Sequence, residues 1–407
     1  MPDWPFVEYR TLSSSERSAF SMGPFGSKIT KENYVAAGVP VVRGVNLARG
    51  IFVDDDFVYI EPQKADELIA ANVAPGDLIF THRGTIGQVS MVPRRPRFDR
   101  YVIGSSQVKT RLAESVAVPE FYYYWFRSPE GQRSILANAS TVGVPGIATP
   151  LTSIKGLRVP LPPLTTQRSI AEALGSLDAK IAVNDRIAAA YEGLFQAKFT
   201  ALGTTVEGDC AITELVEFNP RTPRPAQGNA VYVDMAALPT RQSSIRTWAY
   251  RPPKGGSRFQ NGDTLLARIT PCLENGKTGF VNFLNEDETG IGSTEFIVMR
   301  SKKGVPPEFS YFLARDERFR KNAIRKMAGS SGRQRVSAAD AAHFFVHRPD
   351  SGQLAAFGAE VEVAFRHLRS LMEESRVLER LRDMLLPEVM SGRLRVKDAE
   401  KIAEEAI

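Results

Sequence analysis

The sequence predicts an α/β chain of the α+β kind. It is a tandem duplication in which each copy is a globular domain followed by a long helix, the two helices pairing as an antiparallel coiled coil. Three observations carry this. The 407-residue chain aligns with itself at a nearly constant offset. Each copy opens with short β-type runs punctuated by Gly, Pro and Asp. Each closes with apolar residues recurring at alternating spacings of four and three, the period of a coiled-coil seam.

The repeat comes first, because a missed repeat misreads the fold. Pro75-Gly76-Asp77-Leu78-Ile79-Phe80 matches Asn261-Gly262-Asp263-Thr264-Leu265-Leu266 at an offset of 186. Gly104-Ser105-Ser106-Gln107-Val108 matches Gly292-Ser293-Thr294-Glu295-Phe296 at 188, and Val118-Pro119-Glu120-Phe121 matches Pro306-Pro307-Glu308-Phe309 at 188. Gln167 and Gln353 open two helical stretches at 186. Within the first copy, residues 39–45, 57–60, 77–80, 87–92 and 107–111 read as strands. Residues 119–138 read as helix, 140–152 as a loop and 157–159 as a last strand. Pro160, Pro162 and Pro163 then hold the chain extended and forbid helix until they end. The helix that follows runs from Gln167 to Phe199, with a seam through Ile170, Leu174, Leu177, Ile181 and Tyr191. The second seam runs through Leu354, Phe357, Val361, Leu368, Leu378 and Leu385. Polar insertions at Asn184, Ser375 and Arg382 weaken this seam and help to fix its register.

Composition bounds the chemistry. Hydrophobic residues make up 43% and charged residues 24%, a globular balance. No apolar run approaches the ~20 residues a membrane helix needs, and the N-terminus lacks a secretory pattern. A cytoplasmic protein is expected, with no membrane partner. Two cysteines and four histidines make neither a disulfide framework nor a zinc site. Pro271 stands where a phosphate loop needs glycine, so residues 271–278 read as a turn. No dinucleotide fingerprint follows a strand, and no Asn/Asp-Pro-Pro-Tyr/Phe motif is present. Asp54-Asp55-Asp56 and Glu61 to Lys64 have the wrong spacing for a nuclease metal site and read as a solvated turn flanking a strand. His343 and His347 are separated by a strand-like segment, which does not suit a metal. No catalytic residue and no metal ligand is nominated.

The net charge of +6 is unevenly placed. Residues 75–112 carry seven Arg/Lys against two acids, and residues 300–348 carry twelve against four. Two basic regions on one chain fit contact with a polyanion at two places. Sequence readers of DNA use phosphate donors for position and Arg, Lys, Asn or Gln at base edges. The first copy offers Ser27, Lys28, Arg43, Asn46, Thr81, Arg83, Thr85, Ser106 and Gln107 as candidate DNA-binding residues. The second offers Arg268, Thr270, Lys277, Glu295, Arg333, Gln334 and Arg335.

These residues resemble a known family, the specificity subunit of type I restriction–modification systems. The resemblance rests on Pro160-Leu161-Pro162-Pro163-Leu164-Thr165-Thr166-Gln167-Arg168-Ser169-Ile170-Ala171 and on Leu177 to Ile181. It rests also on Leu385-Leu386-Pro387-Glu388-Val389-Met390-Ser391-Gly392-Arg393-Leu394, on Gly23 to Ser27, and on Gly329 to Val336. The second proline-rich entry departs from the pattern, being Arg348-Pro349-Asp350-Ser351-Gly352-Gln353. The resemblance implies a first target recognition domain over 1–160, a central spacer helix over 161–203, a second recognition domain over 204–350, and a C-terminal spacer helix and tail over 351–407. It implies double-stranded DNA and two methyltransferase subunits as partners, with motor–nuclease subunits where the system has them. S-adenosylmethionine would sit on the methyltransferase partner, ATP and Mg²⁺ on the nuclease partner, and no cofactor on this chain. Two other readings stay open: a DNA methyltransferase or nuclease with an unrecognised site, and a coiled-coil protein scaffold.

Overall fold

The structure is a computed structural model describing residues 4–140, 143–203, 208–225, 228–330 and 332–406. The side chains of Ser27, Ala48 and Arg49, and Ser331 as a whole, lie outside the described residues. The chain divides into two compact units, one of Met1–Ala179 with Leu378–Ile407, the other of Lys180–Val377.

In the first unit, Leu78–Thr81 is buried throughout, so apolar side chains serve both faces. It lies inside a four-stranded antiparallel sheet in the order Phe20–Met22, Gln107–Thr110, Leu78–Thr81, Val89–Met91. A second sheet orders Tyr34–Val35, Val58–Ile60, Val39–Val42, Tyr101–Ile103 and Asn72–Val73, with one parallel pair, Val39–Val42 against Tyr101–Ile103. The first strand, Phe6–Glu8, returns to pair with Arg158–Pro160.

The second unit repeats the plan. Its sheets run Val216–Phe218, Phe296–Ser301, Asp263–Ala267, Thr278–Phe280, and Ala249–Arg251, Ala230–Val233, Gly290–Gly292, Ser257–Phe259. Again one pair is parallel, Ala230–Val233 with Gly290–Gly292. Cys210–Ala211 and Phe345–Val346 pair as the first unit's terminal strands do. A buried ion pair is repeated too: Arg111 holds Asp77 through two hydrogen bonds of 2.7 Å, and Arg300 holds Asp263 at 2.6 and 2.7 Å. The duplication read from sequence is therefore a duplication of strand order and of interior polar chemistry.

Three local expectations are corrected. Residues 119–138 form two helices, Pro119–Arg127 and Pro129–Leu136. Pro129 cannot donate a backbone N–H, and it pushes Ser128 into an extended conformation. The Ser128 hydroxyl then accepts from Gly131 N at 3.2 Å as an N-cap. The segment after Glu61 is a short helix, Pro62–Glu67, started by proline at its first position, not a turn. The loop over 140–152 contains a short strand, Gly146–Ile147, and the start of the helix Pro150–Lys155.

The long helices span Leu164–Ala201 and Ser351–Ser391. The first begins directly after Pro163, three residues before Gln167. In the first unit, Arg382 Nη1 donates to Asp178 at 2.6 Å. In the second, Asn184 Nδ2 donates to Ser375 Oγ at 3.2 Å, and Tyr191 meets His367 at 3.1 Å. In the second unit, Asn184 meets Ser375 and Tyr191 meets the earlier His367, so the pairing there is antiparallel. Asn184 and Ser375 face each other across the seam and Arg382 is met by Asp178, which satisfies these polar groups and specifies register. Ile170, Leu174, Leu177, Ile181, Leu354, Phe357, Val361, Leu368, Leu378 and Leu385 are buried, and Tyr191 is partly buried. Among the described residues no helix is long and apolar enough to cross a membrane.

Candidate nucleic-acid interface

In the first unit, strands Leu78–Thr81 and Gln107–Thr110 end together at the pair Thr81↔Gln107. Past that end the backbone gathers loops from distant parts of the sequence. His82 N donates to Ser106 O at 2.9 Å, and Gly104 N to Val42 O at 2.8 Å. Ile147 N donates to His82 O, Gly84 N to Pro145 O and Gly23 N to Gln107 O, each at 2.9 Å. A Cβ on Gly23 would stand 1.8 Å from Gly104 O, so only glycine permits this approach. Arg83 and Thr85 are exposed there, with Ser106 and Arg43 partly so, and Lys28 is exposed five residues beyond Gly23. Arg43 Nη2 donates to Asp56 O at 3.2 Å.

Three nominated residues are interior instead. Asn46 is fully buried; its amide oxygen accepts from Arg43 N at 2.9 Å and its nitrogen donates to Asp55 O at 2.7 Å. Thr81 is buried and donates to Gln88 Oε1 at 3.2 Å, and Gln107 is buried beneath the Gly104 turn. The polar groups of Asn46 and Thr81 bond inward to neighbouring segments, and none of the three side chains is exposed. His82 is nearly buried too, its Nε2 3.2 Å from Ser105 O, and burial lowers its pKa.

The second unit builds the same cradle from other side chains. Ala267↔Phe296 is the terminal strand pair. Beyond it Arg268 N donates to Glu295 O, Val336 N to Arg268 O and Thr270 N to Gln334 O, each at 3.0 Å, and Ser293 N donates to Val233 O at 3.1 Å. Glu295 accepts from Arg335 Nε at 2.9 Å and from Arg335 Nη2 at 2.8 Å. These hydrogen bonds hold the Glu295 carboxyl below the usual carboxylate range. Arg268 Nε lies 3.6 Å from the same carboxylate and is buried without a hydrogen-bond partner. Arg333 is exposed, and Gln334 and Thr270 are partly exposed. Lys277 is tied inward by donation to Met235 O at 2.7 Å.

The hydrogen bonds also correct the repeat. Gln107, ending its strand against Thr81, corresponds to Phe296 and not to Glu295. Arg268, Glu295 and Arg335 therefore occupy the places of His82, Ser106 and Gly146, and Arg333 that of Val144. Residues 144–147 were not nominated from the sequence. Their signal in the sequence is the glycine-flanked stretch Gly143-Val144-Pro145-Gly146.

Residues 26–191 match the family described as Type I restriction modification DNA specificity domain. Over 133 residues the chain is 29% identical to the type I restriction enzyme EcoAI specificity subunit of Escherichia coli, covering 31% of this chain and 22% of that protein. Over 205 residues it is 25% identical to the putative MjaX specificity subunit of Methanocaldococcus jannaschii, covering 49% and 46%. The chain thus spans less than half the length of these curated relatives. The crystal structure of the S subunit of the type I restriction–modification system from M. genitalium is similar over 95% of this chain and 96% of that one, at 15% identity and a TM-score of 0.47. Residues 26–191 thus carry a match to a type I restriction–modification DNA specificity domain, and the chain is similar over part of its length to specificity subunits of such systems.

Proposed function

We propose that this chain is the sequence-reading subunit of a type I restriction–modification complex, with each recognition domain (1–160 and 204–350) reading one half of a split duplex target. The observation that carries the reading is the loop cradle, built twice on one hydrogen-bond skeleton and presenting Arg83 in one copy and Arg268, Arg333 and Arg335 in the other. Glycine-permitted backbone approach and guanidinium donors are what phosphate and base edges require.

The helical segments over 161–203 and 351–407 dock two methyltransferase subunits in this reading. Exposed apolar residues support it: Val363 and Val377, two heptads apart, in the second unit, and Met384 in the first. Methyl transfer from S-adenosylmethionine belongs to those partners. ATP-driven cleavage with Mg²⁺ belongs to motor–nuclease subunits where they are present. This chain selects and does not catalyse.

The test exchanges residues 1–158 for the corresponding domain of another family member, followed by mapping of methylated sites in cells. A change confined to one half-site is expected. A change in both halves, or methylation of DNA by the purified chain alone with S-adenosylmethionine, would refute the reading.

A further inference from the structure

The second cradle holds an arrangement with no counterpart in the first. Arg335 has five N–H donors. Nε–H and one hydrogen of Nη2 are engaged by Glu295, and one hydrogen of Nη1 by Arg333 O at 3.1 Å. One hydrogen therefore remains on each of Nη1 and Nη2. These form the end fork of a planar group whose other edge is clamped. Guanine presents O6 and N7 in the major groove as a matching pair of acceptors, and a two-point contact from arginine is the commonest specific reading of it. Clamping by a carboxylate lowers the ordering cost of such a contact, since the side chain is already held.

The neighbouring Arg268 adds to the case. Its buried Nε has no hydrogen-bond partner, and a single carboxylate stands against two guanidinium groups. The trio thus keeps an uncompensated positive charge at the loop cluster, which suits an incoming polyanion. In the first unit the same places are His82, Ser106 and Gly146, which offer neither a clamp nor a fork.

We infer that Arg335, held by Glu295 and flanked by Arg268, reads a guanine in the half-site of the second unit, and that the first unit reads no base by this means. The inference rests on the proposed function. Glu295 is here a positioning residue, since it acts through Arg335.

The experiment selects from randomised duplexes with the full chain, then measures competition by duplexes varied one position at a time. The wild type is expected to prefer guanine at one position of one half-site by about 5- to 150-fold. Arg335→Gln should shift that position toward adenine, whose N6 and N7 suit a carboxamide. Arg335→Lys, which keeps the charge but loses the fork, should flatten the preference while leaving the salt dependence in place. Glu295→Gln should weaken it less. A base shift confined to one position cannot come from misfolding. Uniform weakening at all positions with unaltered base ratios would make Arg335 a phosphate contact and overturn the inference. A split wild-type motif that these variants leave intact overturns the inference alone, whereas a wild type that selects no split motif overturns the proposed function with it.

Discussion

The two loop cradles share a backbone and differ in chemistry. His82 N donates to Ser106 O, and Arg268 N to Glu295 O; Ile147 N donates to His82 O, and Val336 N to Arg268 O. On this common frame one unit carries imidazole, hydroxyl, hydrogen and isopropyl, while the other carries two guanidinium groups, a carboxylate and a third arginine. The frame is maintained by strand ends and main-chain bonds that do not depend on the side chains projecting from it. The difference teaches that such a scaffold can change the chemistry it presents without refolding. Interior positions show the same freedom: Lys109, paired with Ile79, occupies the place that Val298, paired with Leu265, fills in the second unit.

The comparison is broken most severely at the repeated ion pair. Arg300→Ala would leave Asp263, fully buried, without its guanidinium, and Arg111→Ala would do the same to Asp77. Removing one partner of a buried pair costs about 3–5 kcal/mol. Urea unfolding should show each variant lowering one transition and sparing the other. Equal loss in both transitions would mean that the two units unfold as one.

The helix entries come next. Gln167 is fully buried; its Oε1 accepts from Val118 N at 2.7 Å and its Nε2 donates to Pro162 O at 2.9 Å. Gln353 is exposed, and the second entry is held instead by Asp350, whose carboxylate accepts from Gln353 N at 3.0 Å. Gln167→Ala should therefore cost about 2 kcal/mol through unsatisfied buried groups. Gln353→Ala should stay within about 0.5 kcal/mol. Similar costs from the two would dissolve the distinction.

Lys109 gives a pH-dependent contrast. It is buried, donates to Asn72 O, and burial holds its pKa below the ordinary lysine value. The unfolded chain then binds more protons than the folded one as pH rises from the lowered value toward about 10.4, so stability increases with pH across that window. Lys109→Val, which installs the second unit's residue, should remove this slope and stabilise the first unit by about 1 kcal/mol near neutral pH. Melting curves at several pH values check both effects.

The sequence made the periodic features legible: the duplication, the strands bounded by Gly and Pro, and the seam from Ile170 to Leu385. These repeat, so each instance supports the others. What it hid was long-range. The connection from residue 267 to 296, strands included, is longer than that from 81 to 107, which moves Glu295 out of alignment with Gln107 and onto Ser106. Asn46 resembled a base reader because amides serve both tasks, and only its bonds to Arg43 N and Asp55 O reveal a loop brace. The grip of Arg335 on Glu295, 40 residues away, leaves no local pattern.

The finest test transfers one chemistry to the other frame. His82→Arg, Ser106→Glu and Gly146→Arg together would place the second unit's trio on the first unit's skeleton. Space permits it at the least certain position. A Cβ on Gly146 meets nothing closer than His82 O at 3.7 Å, an ordinary contact, and no left-handed backbone resists a side chain there. The His82 contact with Ser105 O is lost, and the new arginine at that place must find its own exit from a nearly buried site. The gain should therefore fall short of a native clamp. We expect a new guanine preference of about threefold to fivefold at one position of the first half-site, against the 5- to 150-fold of a well-formed fork. The second half-site should not change, because none of its residues has been touched. The readout is duplex competition position by position, with Gly146→Arg alone as the control that has a fork but no clamp. If the single and triple variants discriminate equally, the carboxylate contributes nothing to reading. The difference between the two cradles would then lie in arginine number and not in how the arginine is held.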